Sequence, residues 1–162
     1  MTCRVQFPLV KALLLLLVLA CVAPCAPKKQ SLVHWMDYAT ALEKAKQNPK
    51  LIFVDLYADW CIPCRVMDAN VYTDPTVASL LNSKFYAVKL NAESQDSIVC
   101  DGQRKTVKRC YFDVWELSVL PAFVLVAPKG LTILTVSDSM SPQEMQSLLF
   151  QFLVKEEEWI KR

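Results

Sequence analysis

Leu51-Ile52-Phe53-Val54-Asp55-Leu56-Tyr57-Ala58-Asp59-Trp60-Cys61-Ile62-Pro63-Cys64 is the stretch whose reading decides the fold. It opens with a short apolar run, the pattern of a strand buried on both faces. A brief step then leads to a C-x-x-C pair, so the stretch reads as a strand running into the first turn of a helix. A thiol at Cys61 would lie at that helix N-terminus, where unpaired backbone N–H groups and the positive end of the dipole favour a thiolate. Cys64 falls on the same face of the turn and can close a ring with Cys61. Zinc sites also use C-x-x-C but normally need four ligands. The chain has no second C-x-x-C and a single histidine, His34, read as a packing residue at the start of the fold. The preceding strand and the adjacent Trp60 favour redox chemistry over metal binding.

Working outward, residues 1–26 read as a signal segment: Arg4 and Lys11 lead into the apolar run Ala12–Val22, which Pro24 and Pro27 close. The run is shorter than the roughly 20 residues that span a bilayer, so export is the leading reading. Val18-Leu19-Ala20-Cys21 resembles a lipobox with Cys21 as the lipidated residue. Ordinary cleavage after Ala23 or Ala26 and an uncleaved anchor are the alternatives. Residues 27–32 are expected to form a polar tether, 33–155 one compact domain and 156–162 a polar tail. The net charge of +2 over 162 residues is too small to argue for nucleic acid. Gln103-Arg104-Lys105-Thr106-Val107-Lys108-Arg109 is locally basic and reads as a solvated loop, with docking to an acidic partner or lipid headgroups as the alternative. Of seven cysteines, Cys3, Cys21 and Cys25 belong to the leader or its edge, leaving Cys61 with Cys64 and Cys100 with Cys110. An exported domain works where disulfides persist.

The element order follows from periodicity and capping. Asp37 caps a helix that stops at Asn48-Pro49, and Asp74-Pro75 starts another that ends near Asn82. A helix from Cys61 to about Val71 separates Leu51–Tyr57 from the next strand, Phe85–Leu90. Residues 91–105 are polar and read as loop, followed by a helix near 106–116. Ala122–Ala127 and Leu131–Val136 form a hairpin across Pro128-Lys129-Gly130. Ser141-Pro142-Gln143-Glu144 is a capping box that opens a helix to about Val154. The order implies an α/β fold with a mixed central sheet flanked by helices.

Val54-Asp55-Leu56-Tyr57-Ala58-Asp59-Trp60-Cys61, continuing through Cys64 to Tyr72-Thr73-Asp74-Pro75, resembles the thioredoxin superfamily, and closely the periplasmic C-terminal domain of the membrane disulfide reductase DsbD. The resemblance spans roughly residues 33–154 and implies a thioredoxin-like fold. It makes Cys61 the exposed nucleophile and Cys64 the buried resolving thiol. Asp55 matches the family's buried acid, a proton relay to Cys64, and a structural ion pair with Lys89 is the competing account. Lys89 matches the lysine beside that acid; a plain solvated strand position is its alternative. Asp68 corresponds to an acid thought to raise active-site pKa values, or else is a surface helix acid. Pro121, in Trp115-Glu116-Leu117-Ser118-Val119-Leu120-Pro121, matches the cis-proline that leaves the backbone of Leu120 free to pair with an extended substrate. Trp60 shields the thiolate or packs in the core, and Ile62 and Pro63 complete the contact surface.

Two departures from the family pattern stand out. The segment between Leu90 and Trp115 is longer than in plain thioredoxin and holds Cys100 and Cys110, a suspected structural disulfide with a second redox pair as the alternative. Pro63 agrees with the thioredoxin pattern more than with the DsbD domain, and in relatives it accompanies reducing behaviour. The resulting expectation is an exported, periplasmic thiol:disulfide oxidoreductase leaning towards reductase. It needs no cofactor or metal, acts as a monomer on the thiols and disulfides of exported clients, and is fed by a membrane electron donor. Contact with the membrane is confined to a lipid anchor or uncleaved signal. A disulfide oxidase or isomerase, and a non-catalytic client-binding module, are the competing readings.

Overall fold

The computed structural model describes residues 30–160. The leader, its candidate lipidation residue Cys21 and the first half of the tether lie outside the described residues. The remainder of the tether is already docked: the Leu32 N–H donates to the Tyr72 carbonyl at 2.9 Å.

Helix α1 (Tyr38–Gln47) is followed by β1 (Ile52–Tyr57), α2 (Ile62–Asn70), α3 (Pro75–Lys84) and β2 (Tyr86–Asn91). Strands β3 (Ser97–Cys100) and β4 (Gln103–Thr106) then precede a helical turn, α4 (Val107–Arg109). The chain ends with β5 (Ala122–Val126), β6 (Thr132–Val136), α5 (Pro142–Val154) and α6 (Glu156–Ile160). The main sheet has the order β2-β1-β5-β6, with β1 parallel to β2 and the other pairings antiparallel. This is the expected mixed sheet of a thioredoxin-like fold. The capping residues act as their positions predict. Asp37 accepts from Thr40 N–H, Asp74 from Thr76 and Val77 N–H, and Ser141 and Glu144 form a reciprocal box.

Side-chain alternation along β1 divides the core into two layers. Phe53 faces α2, α3 and α5 through Met67, Leu81 and Leu149, and Phe123 of β5 stacks on it at 5.5 Å. Ile52, Val54 and Leu56 face α1 and the β3–β4 region through Tyr38, Ala41, Cys100 and Val107. Asp55 therefore points to the same side as α2, the helix that carries Cys64.

Three expectations need correction. Residues 91–105 are not all loop. Asp101 (φ 46°) and Gly102 (φ 76°) both take left-handed conformations and make a two-residue turn that pairs β3 with β4. The helix expected near 106–116 is present, as the turn α4 running into a π-helical stretch, Cys110–Val114, whose end is marked by Trp115 N–H donating five residues back to the Cys110 carbonyl at 2.8 Å. Finally, residues 156–160 are not a polar tail. Glu156, Glu157 and Glu158 open α6, and Trp159 turns inward against Phe152 at 6.1 Å and is 8% exposed. His34 is exposed rather than packed; its backbone N–H donates to Asn82 Oδ1 at 2.8 Å.

Because Trp159 fills the edge of the core, Trp159→Ala should lower the unfolding free energy by about 2–3 kcal/mol. Denaturant unfolding checks this, since loss of a freely solvated tail residue would leave the midpoint where it was.

Candidate active site

The apolar β1 ends at Tyr57, and Ala58 and Asp59 turn the chain so that Cys61 becomes the N-cap of α2. The Cys61 N–H donates to the Ala58 carbonyl at 3.0 Å, which fixes that turn. The Cys61 Sγ accepts from the Cys64 N–H at 3.2 Å, so the sulfur takes the place a capping oxygen would hold. Pro63 sits in the first turn, where its missing N–H costs nothing. Cys61 and Cys64 form a disulfide across a Cα separation of 5.3 Å.

The peptide bond between Leu120 and Pro121 is cis, and Leu120 packs against the cluster of Ala58, Cys61 and Cys64. The exposed-nucleophile expectation for Cys61 is not met in this disulfide form. Cys61 is 1% exposed and Cys64 4%, with Tyr57 and Leu120 packed over the pair. The physical reason is that the Cys61 sulfur is bonded to Cys64 and accepts the Cys64 N–H at the start of α2. Around the covered pair the surface is apolar and open. Trp60 and Ile62 are each 64% exposed and Val119 60%, with Pro63 exposed beside them. Trp60 is thus on the surface and not in the core.

A charged cluster links β1, β2 and α2. Asp55 and Lys89 are register partners on β1 and β2. Lys89 Nζ reaches Asp55 Oδ2 at 3.0 Å and also bonds to Asp68 Oδ1, one turn after Cys64 on α2. Asp68 is therefore not an unengaged surface acid, and Lys89 is not a plain solvated position. The Tyr72 hydroxyl donates to Asp55 Oδ1 at 2.8 Å. Burial pushes the Asp55 carboxyl above its ordinary range, against the opposing pull of Lys89 and Tyr72. For Lys89 burial alone would lower the pKa, but Asp55 and Asp68 outweigh it and hold the ammonium above the usual lysine value.

Trp35, Tyr57 and Tyr72 place their rings around Lys89, with centroids at 5.4, 5.1 and 5.1 Å from Nζ. The sequence pattern does not single out these aromatics. The available signal was the two-residue spacing of Asp55 and Tyr57, which puts both on one strand face. Lys89 also borders a half-open cleft of about 670 Å³ lined by Asp37, Tyr57, Asn91 and Asp96 among others.

Cys100 and Cys110 form a second disulfide, and both residues are fully buried on the opposite sheet face. It ties the β3–β4 hairpin to the π-helical stretch. Asp101, in the hairpin turn, accepts from Thr132 N–H at 2.5 Å and Thr132 Oγ1–H at 2.7 Å, and Trp115 Nε1–H donates to Thr132 Oγ1 at 3.0 Å.

Residues 34–128 match a family model described as thioredoxin-like, and this stretch includes both disulfides and the cis-proline. The chain is 51% identical over 54 residues to thiol:disulfide interchange protein DsbD 1 of Pseudomonas aeruginosa, a match covering 30% of the chain and 9% of that protein. With DsbD 2 of the same organism it shares 40% identity over 90 residues, 55% of the chain and 14% of that protein. The chain thus spans a small fraction of the length of these curated relatives. Among solved structures, a thioredoxin from Thermus thermophilus superposes with a TM-score of 0.60 at 22% identity, over 76% of this chain and 88% of that one. The oxidised DsbD C-terminal domain of Neisseria meningitidis gives 0.53 at 20% identity, over 70% and 90% respectively. These two likenesses establish the fold, and the family match extends over more than half of the chain. The protein belongs to the thioredoxin-like family.

Proposed function

We propose that this chain is an exported thiol:disulfide oxidoreductase that reduces protein disulfides through Cys61 and Cys64. One observation carries the reading: a disulfide whose first sulfur caps a helix packs directly against the cis Leu120–Pro121 segment. In the reduced protein the Cys61 thiolate attacks a client disulfide. A bond forms between Cys61 and one client sulfur, and the other client sulfur leaves as a thiolate and takes a proton from water. Cys64 then gives its proton to Asp55 and attacks the Cys61 sulfur. The Cys61–Cys64 bond forms, the mixed disulfide breaks, and the second client sulfur departs and is protonated by solvent. The client gains two electrons, and the protein dithiol becomes the disulfide.

The backbone of Leu120 offers the client an edge to pair with, while Trp60, Ile62 and Pro63 supply apolar contact. Lys89 and Asp68 set the charge around Asp55. The Cys100–Cys110 bond, sealed in the core, is structural. The reducing direction is favoured by how little holds the Cys61 thiolate. Among the described residues a single N–H is directed at its sulfur, Lys89 is committed to two carboxylates, and Arg65 donates to the Asp59 carbonyl at 2.6 Å. A weakly stabilised thiolate gives up electrons readily. The apolar leader and the disulfide chemistry together support export to a periplasm-like compartment, with exported proteins as clients and a membrane carrier as electron donor.

Cys64→Ser should accumulate a mixed disulfide with client proteins through Cys61, seen on non-reducing gels. A Cys100→Ala/Cys110→Ala variant that stays folded should still turn over. If neither trapping by Cys64→Ser nor reduction of insulin by the intact pair is found, this reading fails.

The base form of Asp55 is the carboxylate, so resolution slows as pH falls through its raised pKa. Asp55→Asn should abolish that acidic limb and slow the step about 100-fold at neutral pH. The step is read as the second release of thionitrobenzoate after reduced protein meets Ellman's reagent. Since Leu120 covers the disulfide, Leu120→Ala should also let dithiothreitol reduce Cys61–Cys64 several-fold faster. An unchanged rate would show that the cover lies elsewhere.

A further inference from the structure

Tyr72 follows α2 directly, and its hydroxyl is the group that meets the oxygen of Asp55 left over by Lys89. Several contacts fix where that hydroxyl points. The Tyr72 ring is fully buried and meets Trp35 edge-on at 4.9 Å. Its N–H donates to the Met67 carbonyl at 3.2 Å, and its carbonyl accepts from Leu32 N–H at 2.9 Å and from the Ser31 hydroxyl at 3.4 Å. Trp35 Nε1–H donates to the same Ser31 oxygen at 3.2 Å. Residues 31–35 thus bracket Tyr72 from the side opposite α2.

We propose that Tyr72 is a positioning residue for the resolving step, holding Asp55 in the ionised form and in one orientation so that it accepts the Cys64 proton. The proposal rests on the oxidoreductase reading above and deepens it. With Tyr72 on Oδ1 and Lys89 on Oδ2, the carboxylate has a donor at each oxygen and cannot turn. Hydrogen bonds to a charged acceptor are stronger than those to a neutral one, so this donor favours the carboxylate against the burial that opposes it. Once Asp55 takes the proton from Cys64 that advantage disappears, which favours passing the proton on to solvent. Burial and the neighbouring Asp55 keep the Tyr72 hydroxyl well above its ordinary pKa, so it remains a donor across the working range.

The charged groups that face Asp55 are few. Lys89 comes from β2 and Asp68 from α2, and β5 offers only Phe123 at the paired position. Removing the Tyr72 hydroxyl therefore leaves Lys89 as the one donor to the carboxylate among the described residues.

The experiment compares the pH dependence of the second thionitrobenzoate release in wild type, Tyr72→Phe, Asp55→Asn and the double variant, using the full chain. Tyr72→Phe keeps the ring and its packing, and the acidic limb should move to higher pH by about one unit. In the Asp55→Asn background the same change should shift nothing, since the group it acts on is gone. Tyr38→Phe is the control: it removes a buried hydroxyl with no hydrogen-bond partner among the described residues, on the opposite sheet face, and the limb should stay put. An unmoved limb in folded Tyr72→Phe would overturn the proposal while leaving the oxidoreductase reading intact. An equal shift with and without Asp55 would also overturn it. Failure of the oxidoreductase reading shows separately, as loss of trapping by Cys64→Ser.

Discussion

The Lys89 ammonium between two carboxylates is the constraint on which the rest of the site depends. Asp55 occupies the centre of the parallel β1–β2 pair, where an unpaired carboxylate would be costly to bury. A buried ion pair of this kind is weak as a source of net stability, but losing one partner strands the other. Its effect here is on geometry. A one-residue slip between β1 and β2 would send every side chain of β1 to the other face and take Asp55 away from Lys89, Tyr72 and α2. Asp68 extends the same link to the helix that bears Cys64. Strand register and helix position are thereby linked through one cation.

Much of this was legible in the chain itself. The apolar run before Cys61, the capping residues Asp37, Asp74 and Ser141, and the Pro-bearing helix starts each carry a local physical signal, and each element formed where that signal lay. An apolar strand says only that a carboxylate within it is paired or protonated, and the resemblance named Lys89 as the partner in the competing account. What escaped is what tertiary packing decides. The strand Gln103–Thr106 has polar, basic residues and no apolar alternation; only the Asp101-Gly102 turn betrayed it. Three glutamates hid the inward turn of Trp159. Leu120, which is remote in sequence, joins in the burial of Cys61, and no pattern around the cysteines announces that contact.

The long segment before the cis-proline is a second framework, not a slack insertion. The Cys100–Cys110 bond fastens the β3–β4 hairpin to the π-helical stretch, and Thr132 gathers Asp101 and Trp115 onto β6. Leu117 N–H donates to the Tyr111 carbonyl at 2.9 Å, continuing this path towards Leu120. The segment that carries the cis Leu120–Pro121 bond is anchored on one side by this framework and on the other by β5. That explains how a segment rich in polar residues can hold Leu120 against the Cys61–Cys64 pair.

Ser31 and Trp35 also give the stretch ahead of the first helix an unexpected weight. Trp35 is one wall around Lys89, and Ser31 ties that wall to Tyr72. Proteolytic trimming, or a fusion junction placed a few residues past Gln30, would strip insulation from the proton store while leaving every cysteine in place. The result would be a protein that still closes its disulfide yet handles protons poorly. Any engineered version is therefore best made to keep residues 31–35, and not only the first helix onward.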